Sequence, residues 1–391
     1  MRISLLTLLP ALVICAAIDF ALWWAMRRLA VDGKWRKSFI ISLIINAVIV
    51  IFLIVVPKKM CGDSMLTLLT YVVFFIISQY SAKVVALLAA VPLIWKRCRT
   101  KFLCRLPLAV GLLVFGSMWW GSFVTRFNID VRSEQLSIAS LPPSFDGYRI
   151  VQISDLHISS FGTDTSYISE VVDRVNELQP DLIVFTGDIV TRKTDELPPF
   201  VSTLSRLSAP DGVLAVKGNH DYGNYCEWPS EDAHQLNNQQ LDSLFEAMHW
   251  RLLSNETDTI SRGRDFITVT GVEYENMFAE AGTFTASLSK AIDVNTAKSG
   301  GCHILLYHSP QEWLPEIAPL DAFALTLSGH THAMQMEVFG LSPAAFRYDC
   351  WAGLYQQGNS YLYVNRGIGT VGFPSRVGCT PEITLITLKS K

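Results

Sequence analysis

The chain has 391 residues, enough for two structural units rather than one small domain. Hydrophobic residues make up 50% of it, charged residues only 17%, and the formal net charge is -3 at pH 7. We expect no nucleic-acid binding, because the second half of the chain carries no basic stripe. The apolar excess is confined to the first third, so we divide the chain into a membrane region, 1–125, and a globular region, 126–391.

Four apolar stretches of the membrane region predict an N-terminal bundle of four transmembrane helices, since the bilayer core requires about 20 helical residues. They cover residues 3–25, 39–56, 65–95 and 106–123. The third is longer than the core requires, so we expect it to tilt or to break near Gln79 to Lys83. The first is not expected to be a cleaved signal peptide, because further spans follow it.

Basic residues are concentrated in the loops after the first and third spans. Each of these loops carries five lysines or arginines, whereas the loop after the second span has only Lys58 and Lys59. The positive-inside rule therefore places the first and third loops in the cytoplasm. We expect an integral protein of a bacterial inner membrane with an extracytoplasmic globular region. A break of the third span would reverse this orientation.

Two charged residues, Asp19 and Lys83, lie within the apolar spans. Charges inside a membrane are either functional or paired. One interpretation is that the two residues pair with each other or lie near an interface. The alternative is a membrane lipid-handling or transport protein with a regulatory metal-binding domain.

Short apolar runs alternate with helical periodicity in the globular region. We expect an edge strand over 128–138 and further strands at 148–153, 181–185, 212–216, 266–270, 303–307, 322–327, 361–364 and 383–386. Helices are expected over 165–178, 197–207 and 236–248. This alternation predicts an α/β fold, and the late strands predict a second sheet packed on the first.

Side chains that bind metals follow most of these strands. They are Asp155, His157, Asp188, Asn219, His220, His308, His330 and His332. Ligands of open α/β sheets bind beyond the carboxyl ends of the strands, so we expect these side chains to share one rim. If the chain stays extended after its strand, His330 and His332 face one site, because residues two apart share a face.

The donors in this set are imidazole, carboxylate and amide oxygen, without thiolate, which favours divalent Mn, Fe, Zn or Co. The candidates exceed the four ligands of a structural zinc site, so two metal ions are the economical interpretation. Two ions about 3.5–4 Å apart can share a carboxylate, acidify a bridging water to hydroxide and hold two phosphoester oxygens.

The motif order Asp-x-His, Gly-Asp, Gly-Asn-His-Asp, a later His and Gly-His-Thr-His resembles the calcineurin-like metallophosphoesterase superfamily. Residues 149–157, 362–369 and 379–387 resemble its membrane-associated bacterial phosphodiesterase subgroup. The resemblance covers about residues 128–391 and implies a four-layer αββα sandwich, two packed sheets flanked by helices. It also implies a metal-dependent phosphoric ester hydrolase of the phosphodiesterase or pyrophosphatase type.

Transferred motif by motif, the resemblance gives each candidate a role. The ligands of the first metal would be Asp155, His157 and His332. The ligands of the second would be Asn219, His308 and His330, with Asp188 as the bridge. His220 would protonate the leaving-group oxygen, and the alternative for it is a structural imidazole bonded to Asp221.

One departure from the superfamily concerns the residue that orients His220. Many phosphoprotein phosphatases carry Asp three residues past the bridging Asp, where this chain has Thr191 followed by Arg192. The departure argues against a phosphoprotein phosphatase and leaves the orientation of His220 to Asp221 or to the substrate. His220 and Asp221 are therefore the catalytic candidates.

Several later residues have two interpretations. Arg366 and Arg376 hold a substrate phosphate or form surface ion pairs. Met334 and Met336 follow Ala333, where related sequences often have Gly, and either fill the core or form an apolar wall for a lipidic leaving group. Disulfides can form among the cysteines of the globular region if it is extracytoplasmic, and these are Cys226, Cys302, Cys350 and Cys379.

Membrane attachment favours a phosphoester or pyrophosphate substrate of the cell envelope, with a lipid-linked compound as one option. Some relatives cleave the pyrophosphate of a UDP-linked lipid A precursor, but the expected orientation disfavours that cytoplasmic nucleotide. A binding module with a degenerate site is disfavoured, because the ligand set is complete.

Overall fold

The computed structural model describes residues 5–29, 40–42, 44–49, 63–96, 100–274, 283–292 and 301–391. The chain divides into two compact units. The first, which we call the helical unit, comprises Met1–Phe123 and Gly372–Ser375. The second, the sandwich unit, comprises Val124–Val371 and Arg376–Lys391.

The long helices described in the helical unit are α1 (Leu5–Arg28), α2 (Asp63–Trp95) and α3 (Lys101–Phe123). Within the described residues, two helical stretches are long and apolar enough to cross a membrane. They are Thr67–Trp95, of 29 residues, and Phe102–Phe127, of 26 residues. These stretches correspond to the predicted spans 65–95 and 106–123.

The prediction of four transmembrane helices is corrected to two in the part of the chain that the structure describes. The predicted span 3–25 falls on α1, and only its residues 3 and 4 lie outside the described residues. The predicted span 39–56 lies largely outside them, and its described part is the short helix Ile40–Ile49. The described helix Ile40–Ile49 is shorter than the roughly 20 helical residues that a span requires.

The predicted break near Gln79 to Lys83 does not occur, because α2 is one continuous helix of 33 residues. The polar side chains of this stretch bond to neighbouring helices. Lys83 Nζ lies 2.6 Å from Asp19 Oδ1 and donates to Ser42 Oγ at 2.7 Å. Tyr80 donates to Asp19 Oδ2 at 2.9 Å. The two charges inside the helical unit therefore pair with each other, as the first interpretation expected.

Two six-stranded mixed sheets form the sandwich unit. The first sheet has the order β1-β12-β2-β3-β4-β5, with strands at Asp130–Ile138, Glu382–Ser390, Arg149–Ile153, Leu182–Phe185, Val213–Ala215 and Trp250–Leu252. The second has the order β10-β11-β9-β8-β7-β6, with strands at Gly353–Gln357, Ser360–Val364, Leu325–Ser328, Cys302–Leu306, Asp265–Gly271 and Glu256–Arg262.

The central strands are buried on both faces, which explains why they read as continuous apolar runs. In β2, Ile150 joins the core between the sheets, whereas Val151 joins the core beneath the helices. That outer core is covered by α4 (Ser166–Glu177), α5 (Val201–Leu204) and α6 (Glu231–Ala247). The outer face of the second sheet packs against α7 (Thr283–Ala291) and the turn Trp313–Ile317. The predicted two sheets flanked by helices are confirmed.

The differences from the predicted elements have local causes. The helix expected over 197–207 shrinks to α5, because Pro198 and Pro199 begin a 3₁₀ turn. Helix α6 starts at Glu231, before the predicted 236, because Ser230 caps it by accepting from the Ala233 N–H. Strands β5, β6 and β10 were not predicted, since β5 is only three residues long and β6 and β10 are largely polar.

Candidate metal centre

The seven predicted metal ligands converge at the carboxyl ends of five strands. Strands β2, β3 and β4 of the first sheet lead to Asp155, His157, Asp188 and Asn219. Strands β8 and β9 of the second sheet lead to His308, His330 and His332. All are buried except His330, which is half-buried. Both sheets are therefore needed to build the site.

These side chains form two clusters. In the first, His332 Nε2 lies 3.2 Å from Asp155 Oδ1 and 3.1 Å from His157 Nε2. In the second, Asn219 Oδ1 lies 2.8 Å from His330 Nδ1 and 3.1 Å from His308 Nε2. The resemblance assigned these two groups of residues to separate metals, and that assignment stays a prediction.

Asp188 lies between the clusters. Its Oδ2 atom is 3.6 Å from His157 Nε2 in the first cluster and 3.2 Å from His308 Nε2 in the second. Its Oδ1 atom accepts the backbone N–H of His220 at 2.8 Å. One carboxylate oxygen thus faces imidazoles of both clusters, which is the placement that a bridging ligand requires.

The ring nitrogens and carboxylate oxygens of the site are better arranged to bind divalent cations than to hydrogen-bond to one another. His157 Nε2 and His332 Nε2 face each other at 3.1 Å, and His330 Nδ1 and His308 Nε2 do so at 3.2 Å. Two ring nitrogens at this distance share at most one proton, and burial removes the water that would otherwise solvate them. Neutral imidazoles and carboxylates around a common point are the ligands that borderline divalent metals take.

Charge coupling within the site supports this fit. Burial would raise the pKa of Asp188, but His308 and His220 hold it well below its usual range. Burial would lower the pKa of His308, yet the carboxylate of Asp188 raises it to about 9. Burial and the neighbouring His308 lower the pKa of His330 to about 3. The coupling between the Asp188 carboxylate and the His308 ring therefore favours positive charge at this place, and a bound divalent cation would supply that charge.

The backbone at the strand ends is left-handed rather than extended. Positive φ angles occur at Asp155 (51°), His157 (39°), Asp188 (62°), His330 (73°) and His332 (49°). The expectation of an extended chain at His330 and His332 is therefore wrong, and the two imidazoles enter different clusters. Each such residue costs about 1–2 kcal/mol, a strain that clusters at functional sites.

Glycines allow these turns to approach one another. Gly187 has φ +99°, and a Cβ there would lie 2.6 Å from both His308 Nδ1 and the backbone nitrogen of Gly218. A Cβ at Gly329 would lie 2.2 Å from Asp155 Oδ2. A larger residue at either position would push the ligand turns apart.

His220 is oriented by a backbone carbonyl. Its Nδ1–H donates to Thr191 O at 2.6 Å, and its ring lies 4.9 Å from that of His157. His220 also groups with His157 and Asp188 as a candidate metal-binding triad. Thr191 stands where the phosphoprotein phosphatases have Asp, so its main chain replaces the absent carboxylate.

Asp221 holds the loop of the bridging residue rather than the His220 ring. Its buried carboxylate accepts the backbone N–H groups of Asp188 at 2.7 Å, Ile189 at 2.9 Å, Val190 at 3.2 Å and Gly218 at 2.9 Å. Burial and the charge of Asp188 raise the pKa of Asp221 to about 7. The expected contact with His220 is corrected, because these amides occupy the carboxylate.

Comparison with known proteins fixes the family. The model of the calcineurin-like phosphoesterase family matches residues 148–334. An uncharacterized metallophosphoesterase of Bacillus subtilis, YkuE, is 31% identical over 304 residues, which is 75% of this chain and 99% of that protein. The chain belongs to the calcineurin-like phosphoesterase family. The resemblance derived from the motif order is confirmed.

Other relatives of this metallophosphoesterase differ in length. A zebrafish transmembrane protein with metallophosphoesterase domain is 30% identical over 258 residues, 65% of this chain and 56% of that protein. An uncharacterized metallophosphoesterase of Campylobacter jejuni is 28% identical over 264 residues, 67% of this chain and 64% of that protein. The chain spans somewhat more than half the length of these two relatives.

The metallophosphoesterase has an aromatic rim that sequence reasoning missed. Tyr225 stacks on His220, with ring centroids 4.0 Å apart, and its hydroxyl accepts from Asn219 Nδ2 at 2.7 Å. Tyr274 and Tyr348 each lie 6.0 Å from the His330 ring. Tyr274 follows the end of β7, so the strand-end rule could have found it. Nothing in the sequence pattern marks Tyr348.

The two arginines of this metallophosphoesterase that were candidates for phosphate binding are structural. Arg366 is buried and pairs with Glu337 and Glu382, each at 2.8 Å. Arg376 is fully buried and donates to the carbonyl oxygens of Arg366, Gly367 and Gly369 at 2.9, 2.9 and 2.6 Å. Arg366 forms the ion pairs that one interpretation expected, but they are buried rather than at the surface, whereas Arg376 forms main-chain contacts that neither interpretation expected. Arg376 supports the turn beneath His332, whose Nδ1 lies 3.4 Å away.

The structure also shows the exposure of the two methionines and the state of the four cysteines discussed above. Met334 is exposed, so it does not fill the core, and Met336 is half-buried. The four cysteines of the globular region form no disulfide in the described residues, namely Cys226, Cys302, Cys350 and Cys379. Cys379 Sγ donates to the carbonyl of His332 at 3.5 Å.

Proposed function

We propose that this metallophosphoesterase is a membrane-anchored hydrolase of phosphodiester or pyrophosphate bonds that uses two divalent cations, Mn, Fe, Zn or Co. The observation that carries the proposal is the placement of Asp188 between two complete ligand clusters, with Oδ2 3.6 Å from His157 and 3.2 Å from His308. Each cluster supplies three further ligands. A single-cation site would leave one buried cluster of donors without a function.

In this proposal, His220 and Asp221 have different roles near the phosphate bond that is cleaved. Bound cations withdraw charge from the phosphoryl oxygens and acidify the attacking water. His220 would hold a proton on Nε2 for the leaving-group oxygen, because Nδ1 is engaged by Thr191 O at 2.6 Å. Asp221 would keep the Asp188 loop in place through its amide contacts. Asp221 is therefore a positioning residue in this proposal.

Two findings support anchoring in a membrane. The described residues contain two helical stretches long and apolar enough to span a bilayer. A zebrafish relative is also named a transmembrane protein. The basic residues between these stretches, within 96–101, favour a cytoplasmic loop, so the chain would emerge outside the cytoplasm after α3. A substrate of the cell envelope, with a lipid-linked phosphoester as one option, would suit this location.

The test is hydrolysis by the purified full chain in detergent. With Mn, we expect turnover of bis-p-nitrophenyl phosphate that Asp188→Ala abolishes. The matched control is Asp195→Ala, which removes a carboxylate whose side chain is 75% exposed. Equal turnover by Asp188→Ala and the wild type would refute the bridging role. A panel of nucleotide pyrophosphates and phospholipid head groups would then assign the bond type.

A further inference from the structure

An apolar loop lies between the ligand His332 and Tyr348 on the rim of the site. We define it as residues 338–346. Phe339 is 100% exposed, Phe346 is 97% exposed and Leu341 is 76% exposed. Exposed apolar residues scattered singly are ordinary on a protein surface, but three large exposed side chains within eight residues are an unusual concentration.

The apolar loop is a built turn. Val338 and Leu341 exchange backbone hydrogen bonds of 2.9 and 3.1 Å, which places Phe339 and Gly340 at the tip. Both tip residues have positive φ angles, 54° and 75°. Ser342 Oγ donates to the Ala333 carbonyl at 2.7 Å and accepts the Ala344 N–H at 3.0 Å. The backbone therefore holds the apolar side chains outward, where the sandwich unit does not cover them.

The composition of the apolar loop fits a lipid surface. It contains no charged residue and is followed by Arg347, which is exposed, and Tyr348. Aromatic and aliphatic side chains beside an arginine and a tyrosine are typical of segments at a membrane interface. The guanidinium can meet anionic headgroups while the apolar tip enters the acyl region.

We propose that the apolar loop inserts into the bilayer surface and so brings the metal centre to the lipid headgroups. This inference rests on the proposed membrane anchoring, because spans in the same chain keep a bilayer within reach. The loop is close to the site in sequence at both ends. It begins six residues after His332 and ends two residues before Tyr348, whose ring lies 6.0 Å from that of His330. A phosphoester in the headgroup layer would thereby reach the ligands without leaving the membrane.

The test is photolabelling of the full chain reconstituted in vesicles of phosphatidylethanolamine and phosphatidylglycerol. The vesicles contain a phospholipid with a diazirine in its acyl chain, and labelled peptides are identified by mass spectrometry. We expect adducts on Thr67–Trp95 and on the apolar loop. We expect none on peptides with Leu236 or Phe266, which are 53% and 46% exposed elsewhere on the sandwich unit.

A double variant, Phe339→Ser with Leu341→Ser, sharpens the test. Adducts on the remaining loop residues should fall about fivefold, because the apolar area that drives insertion is lost. Turnover of soluble bis-p-nitrophenyl phosphate should stay at the wild-type rate, which also shows that the variant folds.

The outcomes separate this inference from the proposed function. Adducts on Thr67–Trp95 without adducts on the loop would overturn insertion and leave anchoring intact. Equal labelling of the loop and of the Leu236 and Phe266 peptides would also overturn it, since random collision would explain both. Absence of adducts from the span and the loop alike would overturn anchoring and insertion together.

Discussion

Each unit of the molecule contains a buried carboxylate, and the two carboxylates differ in the side chains that surround them. In the helical unit, Asp19 Oδ1 meets Lys83 at 2.6 Å and Oδ2 accepts from Tyr80 at 2.9 Å, so both oxygens have a donor. In the sandwich unit, Asp188 Oδ2 faces His157 and His308, which themselves crowd against other imidazoles. A buried carboxylate whose two oxygens both have hydrogen-bond or ion-pair donors can link neighbouring helices without a ligand. A buried carboxylate surrounded by further metal-binding side chains indicates a cation site.

The largest effect we expect is from metal removal. Chelation should abolish phosphodiester hydrolysis, and added Mn should restore it, because in the proposed function the candidate ligands of the sandwich unit act only through the cation. The helical unit should not respond, since its buried charge is balanced within the protein. Circular dichroism and turnover of the same chelated sample would check both statements. Full turnover after exhaustive chelation would contradict the claim that the sandwich unit, unlike the helical unit, needs a cation.

Removal of Asp221 should be the next largest effect. Asp221→Ala leaves the amides of Asp188, Ile189, Val190 and Gly218 without their acceptor, at about 1–3 kcal/mol for each buried group left unsatisfied. We expect a lower melting temperature together with weaker metal binding, because the bridging residue loses its support. Asp221→Asn keeps one acceptor oxygen and should be milder. Unchanged metal affinity in Asp221→Ala would contradict the positioning role.

In the helical unit, a substitution that removes one buried charge should lower the stability of the protein without changing its turnover. Asp19→Asn leaves Lys83 without its ion-pair partner, and we expect a loss of about 3 kcal/mol in the detergent-solubilised chain. The double variant Asp19→Asn with Lys83→Met should recover part of that loss. Phosphodiester turnover should stay at the wild-type level in both. A large fall in turnover by the folded double variant would instead link this pair to the activity.

The smallest effect should come from the rim. Tyr225→Phe removes the hydroxyl that accepts from Asn219 at 2.7 Å but keeps the ring on His220. We expect kcat to fall by about three- to tenfold, the equivalent of one hydrogen bond. Tyr225→Leu also removes the stacking and should shift the pH profile of kcat. Tyr361→Phe, on β11 away from the site, is the control.

The candidate ligands could be predicted from the sequence, but the backbone conformation that presents them could not. Apolar runs ending in Asp155, Asp188, His308 and His330 were visible because the strands are buried on both faces and end where the site begins. The left-handed angles at these turns were not visible, since they follow from packing around Gly187 and Gly329. A sequence pattern identifies the residues at the strand ends, but the conformation of the turns depends on the residues that pack against them in the folded chain.

Contacts between distant segments were equally beyond the sequence. Thr191 looked like the loss of an orienting carboxylate, yet its main-chain carbonyl holds His220. Arg376 looked like a phosphate ligand because its charge was visible and its burial was not. In the predicted membrane region, hydropathy marked four apolar runs, whereas two helical stretches long and apolar enough to cross a membrane are found among the described residues.

The most direct test of the two-cation site is the metal content of the purified full chain, measured by mass spectrometry after dialysis against Mn. The account predicts two Mn per chain in the wild type and at most one in Asp188→Asn, because the variant loses the carboxylate shared by the two clusters. One Mn or none in an active wild-type enzyme, or two in the variant, would contradict it.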